Sequence, residues 1–226
     1  MNAKKNGQPN VEPAHTQSGV TSPNDSHWWW LAACVVGLAV FAAAAFLVYR
    51  RPTAHGWELA IFHAINNLPN SLRPLFIVAT LAPNALLIGA VCVVATALLK
   101  LWQLTWQLAA AVLGAAATGF LAKHFINRPR PGGLDIGAHV RAHETDAAFP
   151  SGHALIITVV VLVLWPYLPR GWRWLVALIV PVVGIARLYL GVHLPLDIIG
   201  GVALGVAIVA CMRMLPAKLR TLLRFD

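Results

Sequence analysis

Trp28-Trp29-Trp30-Leu31-Ala32-Ala33-Cys34-Val35-Val36-Gly37-Leu38-Ala39-Val40-Phe41-Ala42-Ala43-Ala44-Ala45-Phe46-Leu47-Val48-Tyr49 contains no charged side chain and decides the class of the fold. A helix that crosses a bilayer needs about 20 consecutive, mostly apolar residues, and this stretch supplies them before Arg50 ends it. The rest of the chain has the same character: 58% of its 226 residues are hydrophobic and 11% charged, far from the balance of a soluble domain. A net charge of +9 would by itself admit nucleic acid as a partner. The Lys and Arg residues instead fall in short patches between apolar runs and not on one solvated face, which argues against that class. Cys34, Cys92 and Cys211 each sit inside an apolar run, where a thiol behaves as a small hydrophobe, so neither a disulfide nor a metal site is expected of them. Residues 1–27 are rich in Asn, Pro, Ser, Gln and Thr and are expected to form a disordered tail. No small-residue cleavage site follows the apolar run, so the run is expected to be a retained anchor and not a signal peptide. Residues 216–226 are expected to form a basic tail, leaving 28–215 as the membrane domain.

Working outward, hydropathy predicts an all-α, polytopic membrane protein with six transmembrane helices over 28–49, 75–99, 105–125, 153–168, 172–190 and 194–215. Trp28, Trp29, Trp30, Trp102, Trp106, Trp165, Trp172 and Trp174 cluster at the ends of these spans, as an interfacial aromatic belt does. Between the first two spans, Trp57 to Asn67 varies at helical period, which predicts a short amphipathic helix lying on the membrane, broken by Pro69 and Pro74. Six spans place both termini on one side. The 126–152 loop and the Gly191-Val192 turn then share the other. Lys and Arg number nine on the terminal side and eight on the other, or five once Lys123, Arg130 and Arg187 are reserved for a site, so the termini are expected in the cytoplasm.

Ionisable residues at the ends of apolar spans are costly and point to function. Here they form three sets that the six-span topology brings to one face: Lys123 with Arg128-Pro129-Arg130-Pro131; Pro150-Ser151-Gly152-His153; and Arg187 with His193 and Asp197. Lys123, Arg130 and Arg187 bring enough positive charge to hold a phosphate or pyrophosphate and to stabilise its oxygens during transfer. Ser151-Gly152 precedes a helix, so backbone N–H groups can approach the same phosphate, and Ser151 is a candidate N-cap. His193 and Asp197 are four apart and share a face if the helix has begun by His193. The carboxylate then fixes one imidazole nitrogen and leaves the other to attack phosphorus. His153 is left as general acid for the leaving oxygen and, once neutral, as the base that activates water. That cycle needs two histidines and neither metal nor cofactor. Each set has a plainer reading: Pro-Ser-Gly is also an ordinary turn before a helix, and a His–Asp pair is also an ordinary satisfied polar pair. His124 and Arg128 are read as interfacial charges beside lipid headgroups. His139, His143, Glu144 and Asp146 are read as solvated loop polarity, with a metal site the lesser alternative and a contact to the substrate beyond its phosphate another.

Together these residues resemble the type 2 phosphatidic acid phosphatases, a family that shares its active site with the vanadium haloperoxidases. Its first motif, Lys, six residues, Arg-Pro, is met by Lys123, Arg130 and Pro131; its second, Pro-Ser-Gly-His, by Pro150 to His153. Its third, Ser-Arg, five residues, His, three residues, Asp, is met by Arg187, His193 and Asp197, with Ala186 in place of the Ser. The resemblance implies a helical membrane bundle that removes phosphate from a lipid through a phosphohistidine, without metal. It implies catalytic roles for His193, His153 and Asp197, and phosphate binding by Lys123, Arg130, Ser151, Gly152 and Arg187. The missing hydroxyl at Ala186 implies a less efficient phosphate site.

By analogy with that family, the expected substrate is an undecaprenyl-type pyrophosphate, handled at the outer face of a bacterial inner membrane. Phosphatidic acid, phosphatidylglycerol phosphate and lipid A are the alternative lipids, and phosphoryl transfer to a second lipid is the alternative reaction. An anion transporter would explain the cations but not His193 with Asp197, nor Pro-Ser-Gly-His.

Overall fold

The computed structural model describes residues 25–80 and 84–215. The tail expected over 1–27 lies outside them up to residue 24, and the basic tail expected over 216–226 lies wholly outside them. Among the described residues the α-helices are α1 (Asp25–Arg50), α2 (Gly56–Asn66), α3 (Arg73–Ala79), α4 (Ala85–Leu98), α5 (Trp102–Ile126), α6 (Gly152–Leu164), α7 (Arg170–Ala177), α8 (Ile179–Tyr189) and α9 (Pro195–Arg213), with no strand. The first helix begins at Asp25, so the last three residues of the predicted tail are helical.

Among the described residues, four stretches are long and apolar enough to cross a bilayer: Trp28–Arg50, Trp102–Gly133, Arg170–Tyr189 and Pro195–Arg213. The second predicted span is shorter than hydropathy suggests, and the fourth, predicted over 153–168, is helical over Gly152–Tyr167 but changes type within it. In the second, α3 stops at Ala79 and α4 starts afresh after Asn84, whose side chain accepts the Leu86 N–H at 2.9 Å as an N-cap. In the fourth, Pro166 cannot continue the helix and α6 gives way to a 3-10 turn at Trp165–Tyr167. At 14 and 13 residues, α4 and α6 are about 20 Å long, against about 30 Å of hydrocarbon. The fifth predicted span is two helices meeting at Leu178, where Pro181 sits in the first turn of α8.

The core is built on α6, apolar nearly all round and packed between α4, α5, α8 and α9. Leu108, Ala111 and Ala115 of α5 meet Leu155, Ile156 and Val159 of α6 and Leu204 of α9 there. Small residues let α1 and α9 approach closely: a Cβ on Gly37 would come within 2.9 Å of the Ala203 carbonyl oxygen. The outward faces carry Val35, Phe46, Leu98, Phe120, Phe125 and Trp174, all exposed, which is the surface a lipid-facing bundle presents.

The short amphipathic helix predicted between the first two spans is present as α2, and the stripe it buries is largely polar. Glu58, Phe62 and Asn66, spaced four apart, are its fully buried stripe, while Trp57 and Ile61 face outward. In water this pattern would be inverted. Beside a bilayer, apolar side chains cost nothing outside, and polar groups need partners within the protein.

Candidate active site

The C-terminal ends of α5 and α8 and the N-terminal ends of α6 and α9 meet at one end of the bundle. The turn from α8 to α9 passes through Gly191, whose φ of +71° and contact with the His139 carbonyl leave no room for a side chain. His193 follows and is 1% exposed. The helix begins only at Pro195, so His193 and Asp197 are not paired by a shared helical face. Leu194 is extended at the N-cap, and Asp197 reaches back to accept its N–H at 2.8 Å. This capping geometry brings Asp197 Oδ2 to 3.5 Å from His193 Nδ1, which makes no hydrogen bond in this state.

His193 Nε2 faces the cations. It lies 3.4 Å from Arg130 Nη1, which also donates to the Val192 carbonyl at 2.8 Å. Lys123, Arg130 and Arg187 surround two carboxylates from the 126–152 loop. Asp146 takes Lys123 at 2.7 Å and Arg130 at 2.5 Å; Glu144 takes Arg130 at 2.6 Å and also pairs with Arg187. Glu144 Oε2 is 3.9 Å from His193 Nε2. Glu144 and Asp146 are therefore occupants of the cationic cradle, Glu144 half-buried and Asp146 still open to solvent, while His139 and His143 are exposed as loop polarity is expected to be. Burial alone would raise both carboxyl groups, but their cations outweigh it: Asp146 is held down to about 2 by Lys123 and Arg130, and Glu144 is lowered by Arg187 and Arg130. Burial, reinforced by the charges of Arg187 and Arg130, holds the His193 imidazole well below its ordinary value and hence neutral.

Ser151 occupies the N-cap position of α6, and its N–H donates to the Asp197 carbonyl at 2.9 Å, tying α6 to α9. Its buried hydroxyl makes neither the expected cap nor any other hydrogen bond. His153, 4% exposed, lines a cavity of about 400 Å3 together with Gly152, Lys123, Glu144 and Asp146. The opposite wall is apolar, from Ala85 and Leu86 of α4 and Ala116 and Phe120 of α5. His193 is not part of that wall; Glu144 is common to the cavity and to the surroundings of His193. Ala186, where the family motif has Ser, is fully buried in α8.

Arg128 is not the headgroup-facing charge expected. It is fully buried and uses its guanidinium on Glu58, at 2.9 and 3.2 Å, and on Asp197 Oδ1 at 2.8 Å. Glu58, also fully buried, is a site residue that the motifs do not indicate. One signal in the sequence points to it: it is the only acidic residue between Asp25 and Asp135, in a stretch of chain otherwise suited to a membrane.

Residues 104–220 match the PAP2 superfamily model. The chain is 30% identical over 156 residues to an Escherichia coli protein named "Putative undecaprenyl-diphosphatase YbjG", covering 66% of this chain and 77% of that one. It is 45% identical over 62 residues to an undecaprenyl-diphosphatase of Sulfolobus acidocaldarius, covering 27% and 30% of the two. Its fold is similar to that of the PAP2-type phosphatidylglycerolphosphate phosphatase of Bacillus subtilis, with a TM-score of 0.63 at 21% identity over 80% of this chain and 98% of the other.

Proposed function

The chain belongs to the PAP2 superfamily as an integral membrane phosphatase of lipid phosphates, and from that premise we propose that it hydrolyses an undecaprenyl-type pyrophosphate through a phosphohistidine on His193. The observation that carries the chemistry is the convergence of Lys123, Arg130 and Arg187 with the Nε2 edge of a neutral, buried histidine. A phosphate entering this cradle takes the cations over from Glu144 and Asp146. His193 Nε2 then attacks phosphorus while its Nδ1–H turns to Asp197. The phosphorus–oxygen bond to the lipid breaks, and the leaving oxygen takes a proton from His153. Neutral His153 next removes a proton from water, the hydroxide attacks phosphorus, and the nitrogen–phosphorus bond returns its electron pair to Nε2. Lys123, Arg130, Arg187 and the backbone N–H of Gly152 hold the equatorial oxygens throughout.

The substrate assignment rests on the undecaprenyl-diphosphatases among the relatives; phosphatidylglycerol phosphate is the second reading, on the strength of the Bacillus subtilis fold. For topology we propose that 28–215 is the catalytic unit, that α4 and α6 complete six crossings as the short members of the bundle, and that the site faces the outside of a bacterial inner membrane. His193→Ala is expected to abolish phosphate release from lipid pyrophosphate by detergent-purified protein that elutes as wild type; retained turnover removes His193 as nucleophile. The same assay with and without an acceptor lipid separates hydrolysis from phosphotransfer, because release that requires the acceptor rules out simple hydrolysis.

A further inference from the structure

The motif residues account for the cradle and the nucleophile but leave α2 and Arg128 without a task. The guanidinium of Arg128 is saturated. Its Nε donates to the Pro52 carbonyl at 3.2 Å, Nη2 to the Thr53 carbonyl at 3.0 Å and to Glu58 Oε2 at 2.9 Å, and Nη1 to Glu58 Oε1 at 3.2 Å and Asp197 Oδ1 at 2.8 Å. All five N–H donors are spent, so the group cannot turn. Glu58 is held as firmly: Oε1 also accepts the Leu196 N–H at 3.0 Å, inside the first turn of α9, and Oε2 accepts the His55 N–H at 3.1 Å. One carboxylate thus fastens α2, the end of α5 and the start of α9 together.

We propose that Glu58 and Arg128 are positioning residues of the reaction, acting on His193 through Asp197; the proposal rests on the phosphohistidine reading above. Two physical requirements lead to it. Asp197 must present one oxygen to His193 Nδ1, and Arg128 achieves this by taking the other. Arg128 alone, however, would offset the negative charge that a developing imidazolium needs. Glu58 restores it: two carboxylates share a single guanidinium, so the buried trio carries a formal net charge of minus one, which the charge on His193 neutralises as the nitrogen–phosphorus bond forms. The far end of α2 is pinned as well. Asn66 Nδ2 lies 3.0 Å from the Tyr189 and His139 carbonyls and its Oδ1 accepts the His139 N–H at 2.7 Å, so α2 bridges the α9 and α8 sides of the segment that carries His193.

The test is Glu58→Gln, which keeps the shape and removes the charge. Residues standing behind a metal-ligating histidine typically contribute on the order of 10- to 100-fold, and kcat for lipid pyrophosphate is expected to fall by a factor of the same order. KM and inhibition by orthovanadate, which report the Lys123, Arg130 and Arg187 cradle, are expected to stay within about twofold of wild type. Glu58→Asp, which keeps the charge, is expected to recover part of kcat. If Glu58→Gln does not fold, the double variant Glu58→Gln/Arg128→Gln removes both members of that pair and leaves Asp197 its own charge. It is expected to fold and, with the guanidinium that orients Asp197 gone, still to lose kcat by at least on the order of 10-fold. Wild-type kcat in either folded variant, or kcat, KM and vanadate inhibition worsening together and all recovering in the double variant, would overturn the proposal in favour of a purely structural role. Absence of phosphate release by the wild-type protein on every lipid phosphate tried would instead overturn the phosphatase reading on which it stands.

Discussion

Replacing Asp146 by Asn should make the protein bind phosphate-like anions more tightly. Asp146 is the outermost occupant of the cradle, holding Lys123 at 2.7 Å and Arg130 at 2.5 Å, and an incoming phosphate must take both cations from it. The carboxyl group is held down from 3.8 to about 2, which at 1.36 kcal/mol per tenfold corresponds to about 2.5 kcal/mol of favourable interaction. Its side chain is 58% exposed, so solvent screening reduces this to about 1 kcal/mol. Released to a competing ligand, about 1 kcal/mol is roughly a fivefold gain in affinity. The assay is the inhibition constant of orthovanadate on detergent-purified protein, wild type against Asp146→Asn. Because the folded-state value is depressed, the carboxylate's contribution is complete above about 3.8 and fades only as pH falls through about 2. The fivefold difference should therefore be constant between pH 5 and 8, a window on the order of that used for activity assays. Unchanged or weaker vanadate inhibition would mean that Asp146 supports the cradle and does not compete for it, and the displacement step would be wrong.

Two further outcomes follow from the geometry. Burial and the charges of Arg187 and Arg130 depress His193, so the acid limb of kcat/KM, which reports the free enzyme, should fall below the ordinary imidazole value of about 6.5; a limb at or above it, still present in the His153→Gln variant, would contradict a neutral His193. Asp135 is exposed in the loop between α5 and α6, and Asp135→Cys should react with a membrane-impermeant thiol reagent in intact cells; labelling only after lysis would reverse the proposed orientation.

The motif residues were legible because each sits at a fixed offset from a helix end. Lys123 closes α5, Gly152 and His153 open α6, Arg187 closes α8, and His193 lies two residues before α9, so locating the apolar runs was enough to bring them together. Offsets from helix ends say nothing of a loop's path. The 126–152 loop is led to the cradle by long-range contacts: Arg141 donates to the carbonyls of Asn66 and Tyr189, both at 2.8 Å, and the Ala148 N–H donates to the Arg128 carbonyl at 2.9 Å. With both ends tied, Glu144 and Asp146 are left over the cations, a placement that local composition does not encode. The break in the second predicted span and the change of helix type in the fourth escape hydropathy for a related reason. Hydropathy averages across Asn84 and Pro166, whereas a side-chain cap and a missing N–H act at single residues.

The inward polar stripe of α2 has a more general cause, and it explains why Glu58 and Arg128 are hard to find from the sequence. Helical periodicity identifies the two faces of a segment but not which of them meets water, and next to a bilayer the apolar face has two acceptable destinations. Trp57 and Ile61 can rest outside, while Glu58 and Asn66 find their partners within. The deciding information is the inventory of partners: a lone acid in an apolar stretch needs a cation, and Arg128, two residues before Arg130 of the phosphate motif, is buried against it. The same pairing rule separates the two arginines of Arg128-Pro129-Arg130. One is saturated at 0% exposure behind Asp197; the other keeps an edge toward His193 Nε2, where an anion can exchange for a carboxylate.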